Sequence, residues 1–160
     1  LAQLERLDEM LAARARVAAL YTEALGDVED MLLPCPDEGG DRRSWFVYVV
    51  QLPRGVDRDE AVAAMRERGV DTKPYLPAIH LMSFYRDRFG HREGEFPVCE
   101  EVSRRSLALP FFPELSDGEV EQVVEALGEC IYGGARAPSS SPGGSTESAA
   151  SVTSMPAKRP

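Results

Sequence analysis

Apolar residues recur every three to four positions through the start of the chain, at Leu4, Leu7, Leu11, Ala15, Ala18, Tyr21 (or Thr22) and Leu25. Glu5, Arg6, Glu9, Arg14 and Arg16 fill the other side, so the period predicts one long amphipathic helix over residues 1–25, stopped by Gly26. The pattern then changes. Met31-Leu32-Leu33-Pro34 reads as a short strand closed by proline, and Asp37-Glu38-Gly39-Gly40-Asp41 as a loop. Ser44 to Leu52 is β-branched and aromatic throughout and predicts the clearest strand, ended by Pro53. Phe46, Tyr48, Val50 and Leu52 fall on one face of it, and Trp45, Val47 and Val49 on the other. A strand apolar on both faces needs cover on both, and the second cover is expected to be a surface this chain does not itself supply.

Helical spacing returns after Asp57 or Asp59, either of which suits an N-cap, and runs to about Arg68 with Ala61, Val62 and Met65 inward and Gly69 as the stop. Val70 to Tyr75 is a strand, and Pro77 opens a loop containing His80. Ser83 to Phe89 forms a short helix ended by Gly90, and Pro97 opens another through Arg105. Leu107 to Pro113 is a strand leading into a turn. Ser116 followed by Glu119 is a capping-box signature for a last helix carrying Val120, Val123, Val124, Leu127 and Ile131. From Gly133 onward Ser, Pro, Gly, Ala and Thr dominate and no periodicity survives, so residues 133–160 are expected to be a disordered tail on a domain of residues 1–132. The order of elements predicts an α/β fold, a two-layer sandwich of a small, mostly antiparallel sheet with helices.

Composition narrows the function. A chain of 160 residues with 43% apolar content is one ordinary domain with a real core. Net charge of −9, with arginines interleaved among acids as in Arg58-Asp59-Glu60, argues against a nucleic-acid partner. No window is apolar and long enough to span a bilayer, so no membrane partner is expected, and no secretory signal is visible. Three widely spaced cysteines and two histidines imply neither disulfides nor zinc, and point to a reducing, cytoplasmic setting. The chain starts at Leu1, already inside a helical pattern, which reads as a start cut away from a longer protein.

Candidate chemistry concentrates between Gly69 and Tyr85, where a helix stop, a strand, two prolines and a histidine-aromatic group share one run. Ser83 and Cys99 lack the elbow or neighbouring base of a nucleophile, and no glycine-rich phosphate cradle occurs. The acid pairs Glu100-Glu101 and Glu93/Glu95, together with His91, Arg86 and Arg88, read as solvated surface. Lys73 and Lys158 are the only lysines, and neither has an acid or arginine arranged around it to hold a cofactor. No catalytic, cofactor-binding or metal-binding residue is therefore assigned. By its residues alone the chain suits a free-standing, non-enzymatic interaction or regulatory module that binds a ligand at the His80 loop.

Taken in order, several segments resemble the C-terminal portion of the DegT/StrS family of nucleotide-sugar aminotransferases. They are Leu1 to Leu7 with Arg14, Ala18 and Tyr21, then Ser44 to Tyr48, Arg66 to Tyr75, His80 with Tyr85, and Leu107 to Phe111. The resemblance covers roughly residues 1–131. It implies the small domain of a fold-type-I enzyme that uses pyridoxal phosphate (PLP) to move an amino group from glutamate to a nucleotide-linked keto sugar, as in polysaccharide or antibiotic sugar biosynthesis. It also implies a homodimer for the full-length family. The family's Schiff-base lysine lies in the large domain, so this chain alone is expected to be inactive and to bind no PLP. His80 matches a histidine that lines the sugar end of the family's cleft, and Tyr75 and Lys73 on the strand before it are implied to contact sugar or diphosphate. Phe84 and Tyr85 are expected to pack beneath the loop.

Overall fold

The computed structural model describes residues 2–37, 40 and 43–133, so the Ser/Pro/Gly-rich tail beyond Gly133 and part of the Asp37–Asp41 loop lie outside the described residues. The long first helix is interrupted by a turn at Arg6, giving α1 (Ala2–Glu5) and α2 (Leu7–Leu25). Gly26 stops it where expected, but with a right-handed backbone (φ −60°) and its N–H on Glu23 O rather than through a left-handed cap. Asp57, not Asp59, caps α3 (Arg58–Glu67), its carboxylate accepting from the Asp59 and Glu60 N–H groups at 2.9 Å. Ser116 and Glu119 close the reciprocal box at the start of α6 (Asp117–Tyr132), and left-handed Gly133 ends it. Between them lie a one-turn 3-10 helix (Ile79–Leu81), α4 (Ser83–Phe89) and α5 (Pro97–Arg105).

The sheet has three strands, β1 (Tyr48–Gln51), β2 (Lys73–Pro74) and β3 (Ser106–Leu109), in the order β1-β3-β2, and every pairing is antiparallel. Each strand is shorter than its apolar run. The Met31–Pro34 segment contributes a single bridge, Leu32 to Gln51, rather than a strand. Val70 is buried, its N–H taken by Met65 O, and only Lys73 and Pro74 reach the ladder. Proline is tolerated there because β2 is an edge, where no further strand needs its missing N–H.

Across the ladder Tyr48 faces Leu109 and Val50 faces Leu107, placing these four on one side of the sheet. That side meets Val17, Tyr21 and Leu25 of α2, Met65 of α3 and Val123 and Leu127 of α6 in one continuous core. Two corrections apply to the Ser44–Leu52 strand. Phe46, expected on the same covered face as Tyr48, is 71% exposed. Trp45, assigned to the opposite face, stacks on Tyr48 with ring centroids 5.8 Å apart and packs against the core. The cause is backbone: Trp45 has φ +46°, which breaks the two-residue alternation before the ladder begins. The tyrosine, Thr22 and Arg16 polar atoms of this half are answered internally. Tyr21 Oη donates to Pro110 O at 2.8 Å, Thr22 Oγ1 lies 2.8 Å from Tyr48 Oη, and Arg16 reaches both Asp117 and Leu115 O. Burial pushes both tyrosine phenols above their usual range.

Candidate functional site

The other end of the molecule is built from the segment leaving β2, the 3-10 helix and α5. Tyr75 extends the β2 pairing by donating its N–H to Ser106 O at 3.2 Å. Leu76 then adopts φ +52°, a left-handed backbone that a leucine pays for sterically, and projects 65% exposed. Ser103 Oγ holds this turn by donating to Leu76 O at 3.0 Å. Beyond it, Pro77 and Ala78 lead into the 3-10 turn that carries His80. Across from this strap, Pro97 begins α5 and presents Val98, Cys99 and Val102. The space between is an open cavity of about 830 Å³ whose wall is largely apolar and includes Tyr75, Leu76, Ile79, His80, Phe96 and Val98. Ser106, on the sheet face away from the core, forms part of its wall.

His80 is 8% exposed, and its Nε2 lies 2.9 Å from Glu100 Oε1. Glu100 corrects the surface reading, being only 3% exposed. Its carboxylate accepts from Gly94 N at 2.9 and 3.0 Å and from Phe96 N at 3.3 Å. These amide donors, Gly94 first, and His80 hold the Glu100 carboxyl below the usual carboxylate range. Phe96 sets its ring edge-to-face against His80 at 4.8 Å. His91 is likewise not ordinary surface: it is half-buried, 6.2 Å from His80 ring to ring, with Nδ1 2.7 Å from Glu95 Oε2. That contact lowers the Glu95 carboxyl. The His80–Glu100 pair forms a wall between two spaces, since Glu100 borders a second cavity of about 460 Å³ together with Arg58 and Arg104.

The structure therefore brings His80 and Tyr75 to one cavity, while Lys73 stays exposed on β2 and borders none of the described cavities. Phe84 and Tyr85 do not pack under the loop. Both are exposed, set edge-to-face against each other at 5.3 Å. Glu100 was not legible as a site residue because its partner lies 20 positions earlier and its amide donors come from an irregular turn. The only local hint was an acid on the first turn of a proline-led helix that follows Gly94-Glu95-Phe96.

Among the described residues no cluster of three metal-ligating side chains occurs, and no helix is long and apolar enough to cross a membrane. Nor do these residues fit a PLP group on their own. The larger cavity has no amine or guanidinium in its wall. Arg58 and Arg104, beside the smaller one, already pair with Asp59 and with Glu93 and Glu101.

Helices α2, α3 and α6 on one face of a three-stranded antiparallel sheet, with an apolar cavity between the strap after β2 and α5, define a small α/β unit whose structural neighbours are fold-type-I aminotransferases. TlmJ from Streptoalloteichus hindustanus superposes with a TM-score of 0.72 at 30% identity, over 82% of this chain and 34% of its own. DesV from S. venezuelae gives a TM-score of 0.69 at 28% identity, over 86% and 35%. In sequence, the spore coat polysaccharide biosynthesis protein SpsC of Bacillus subtilis is 32% identical over 135 residues, which is 82% of this chain and 34% of SpsC. The DegT/DnrJ/EryC1/StrS aminotransferase family matches residues 1–128, and the chain belongs to that family, whose members use PLP. It spans about a third of the length of the relatives it matches.

Proposed function

We propose that this chain is the small C-terminal domain of a PLP-dependent aminotransferase that moves an amino group from glutamate to a nucleotide-linked keto sugar. The observation that carries this reading is the family match over residues 1–128, supported by relatives whose full lengths are about three times the matched span. PLP supplies electron storage for the transfer when bound. In this reading it is held by residues outside the chain, since those within it do not fit the group.

The chain's own part is to wall the sugar end of the cleft. Tyr75 and His80 support that assignment by lining the apolar cavity together. Lys73, exposed on the edge strand beside them, serves as a charge for the diphosphate, as a point cation suits an anion. The exposed apolar rim formed by Leu76, Ile79 and Val98 is the surface that the larger part of the enzyme, in a homodimer, covers.

The test is amino transfer by the complete product of the gene, with PLP, glutamate and a panel of nucleotide-linked keto sugars. Formation of 2-oxoglutarate and of the amino sugar is the expected result. The chain of 160 residues alone is expected to give neither, and to leave the absorbance of added PLP unchanged. Transfer by the isolated chain, or a PLP absorbance change abolished by Lys73→Ala, overturns the reading.

A further inference from the structure

An imidazole and a carboxylate packed together below a tenth exposure, within the wall of a large apolar cavity, are a costly arrangement unless each atom's partner is fixed. Here three of the four contacts on Glu100 come from backbone amides, so its position is set by the Gly94–Phe96 turn and not by His80. Carboxylate oxygens that are ionised only accept, so the atom of His80 facing Glu100, Nε2, must carry a hydrogen. In the neutral ring that leaves Nδ1 as an acceptor. No described residue bonds to Nδ1. Thr72 Oγ1 is the one side-chain polar atom among the described residues that is both sealed from solvent and without a partner, so Nδ1 is not sealed. His80 lines the larger cavity. Phe96, edge-on at 4.8 Å, and His91, edge-on at 6.2 Å, pack against its ring.

We infer that Glu100 is a positioning residue: it fixes the hydrogen of His80 on Nε2 and so presents Nδ1 to the cavity as the acceptor for a hydroxyl group of the bound sugar. This inference rests on the sugar aminotransferase reading for the identity of the ligand, but the fixed tautomer does not. A purely structural Glu100, needed only to tie down the turn at Gly94, predicts that its loss weakens sugar recognition equally whether residue 80 is His or Asn.

The experiment uses the complete protein and five variants. His80 Nε2, Gly94 N and Phe96 N all meet Glu100 Oε1, so the change that frees the tautomer is Glu100→Leu, which leaves no acceptor at that place. It is expected to raise the keto-sugar KM by about tenfold, the worth of one buried hydrogen bond. The double variant Glu100→Leu with His80→Asn, which has no tautomer to fix, is expected to stay within about threefold of His80→Asn alone. The single-turnover burst of 2-oxoglutarate from glutamate, which needs no sugar, is expected to stay within about twofold of the unmodified protein. His80→Asn, whose oxygen falls near the place of Nδ1, is expected to keep the sugar KM within about threefold, while His80→Gln and His80→Ala each raise it by about tenfold or more. An unchanged KM in Glu100→Leu, a further rise when Glu100→Leu is added to His80→Asn, or His80→Asn behaving as His80→Ala, overturns the inference while leaving the aminotransferase reading in place. Absence of the glutamate burst in the unmodified protein defeats that reading instead. Nitrogen-15 NMR then still decides the positioning claim, since His80 is expected to show a protonated Nε2 and a bare Nδ1, and the opposite tautomer overturns it.

Discussion

The helix-covered half of the sheet and the cavity-bearing half obey opposite rules. Beneath α2 and α6, Tyr21, Tyr48, Leu107 and Leu127 are fully buried, and the polar atoms among them find partners within the chain. Between β2 and α5, apolar side chains face outward while a histidine and a glutamate are tucked away. A half that satisfies itself is built for stability. One that buries charge, exposes Leu76, Ile79 and Val98, and holds a leucine at positive φ is built to meet something else. The same chain can carry both because the sheet separates them: core side chains leave β3 at Leu107 and Leu109, and Ser106 leaves it toward the cavity.

The largest expected difference is in stability. Leu127→Ala removes a fully buried side chain from the junction of α6 with the core, and is expected to cost about 2–5 kcal/mol in urea unfolding. Val98→Ala, at a site 77% exposed, is expected to fall within about 0.5 kcal/mol. Equal losses at the two sites would mean that the cavity wall is as tightly packed as the core, and the contrast between the halves would fail.

Acid sharpens the comparison next. The folded-state pKa of Glu100 is lowered, so its ionised form adds stability above the ordinary carboxylate value of 4.5, and that contribution is lost as pH falls through the folded value. The same sign holds for Glu95, lowered by His91, and for Glu119, lowered by Ser116. Glu100→Gln removes one of these three contributions. Its melting temperature is therefore expected to start lower at neutral pH and to fall less on acidification below about pH 4.5 than that of the unmodified chain. Parallel Tm-against-pH curves for the two proteins would show that the buried pair contributes no pH-dependent stability.

How much of this was legible from residues alone follows the same division. Helix ends were readable because their signals are local: Ser116 with Glu119, and the glycines at 69 and 90, which both take positive φ. The antiparallel α/β sandwich followed from the order of those elements, while the resemblance to sugar aminotransferases rested on particular segments such as Arg66 to Tyr75 and Leu107 to Phe111, and the family match bears it out. Strand lengths were overestimated, because an apolar run such as Ser44–Leu52 does not reveal that Trp45 will turn over at φ +46° and stack on Tyr48. In the cavity half, Tyr75 and His80 were picked out by their setting on a proline-braced run. Glu100 and His91 read as solvated surface, since neither the contact over 20 residues nor the Gly94 and Phe96 amides that anchor Glu100 leave a periodic trace. Long-range polar pairs are set by the fold as a whole, so a charged residue beside another charged residue reads as surface until its partner is placed.

The smallest effect probes the strained leucine. Leu76 is exposed, so replacing it forfeits little burial, while its left-handed backbone costs a non-glycine residue about 1–2 kcal/mol. Glycine removes that strain but loosens the unfolded chain, an offset of about 0.5–1 kcal/mol. Leu76→Gly is thus expected to stabilise the chain slightly, by less than about 1 kcal/mol, in the same unfolding assay. In the complete protein it is expected to raise the keto-sugar KM, because the side chain forms part of the cavity wall. A variant both more stable and weaker in binding places the strain in the service of the cavity. One that is destabilised, with KM unchanged, assigns Leu76 to the packing of its own half and removes the clearest sign that the two ends of the sheet serve different purposes.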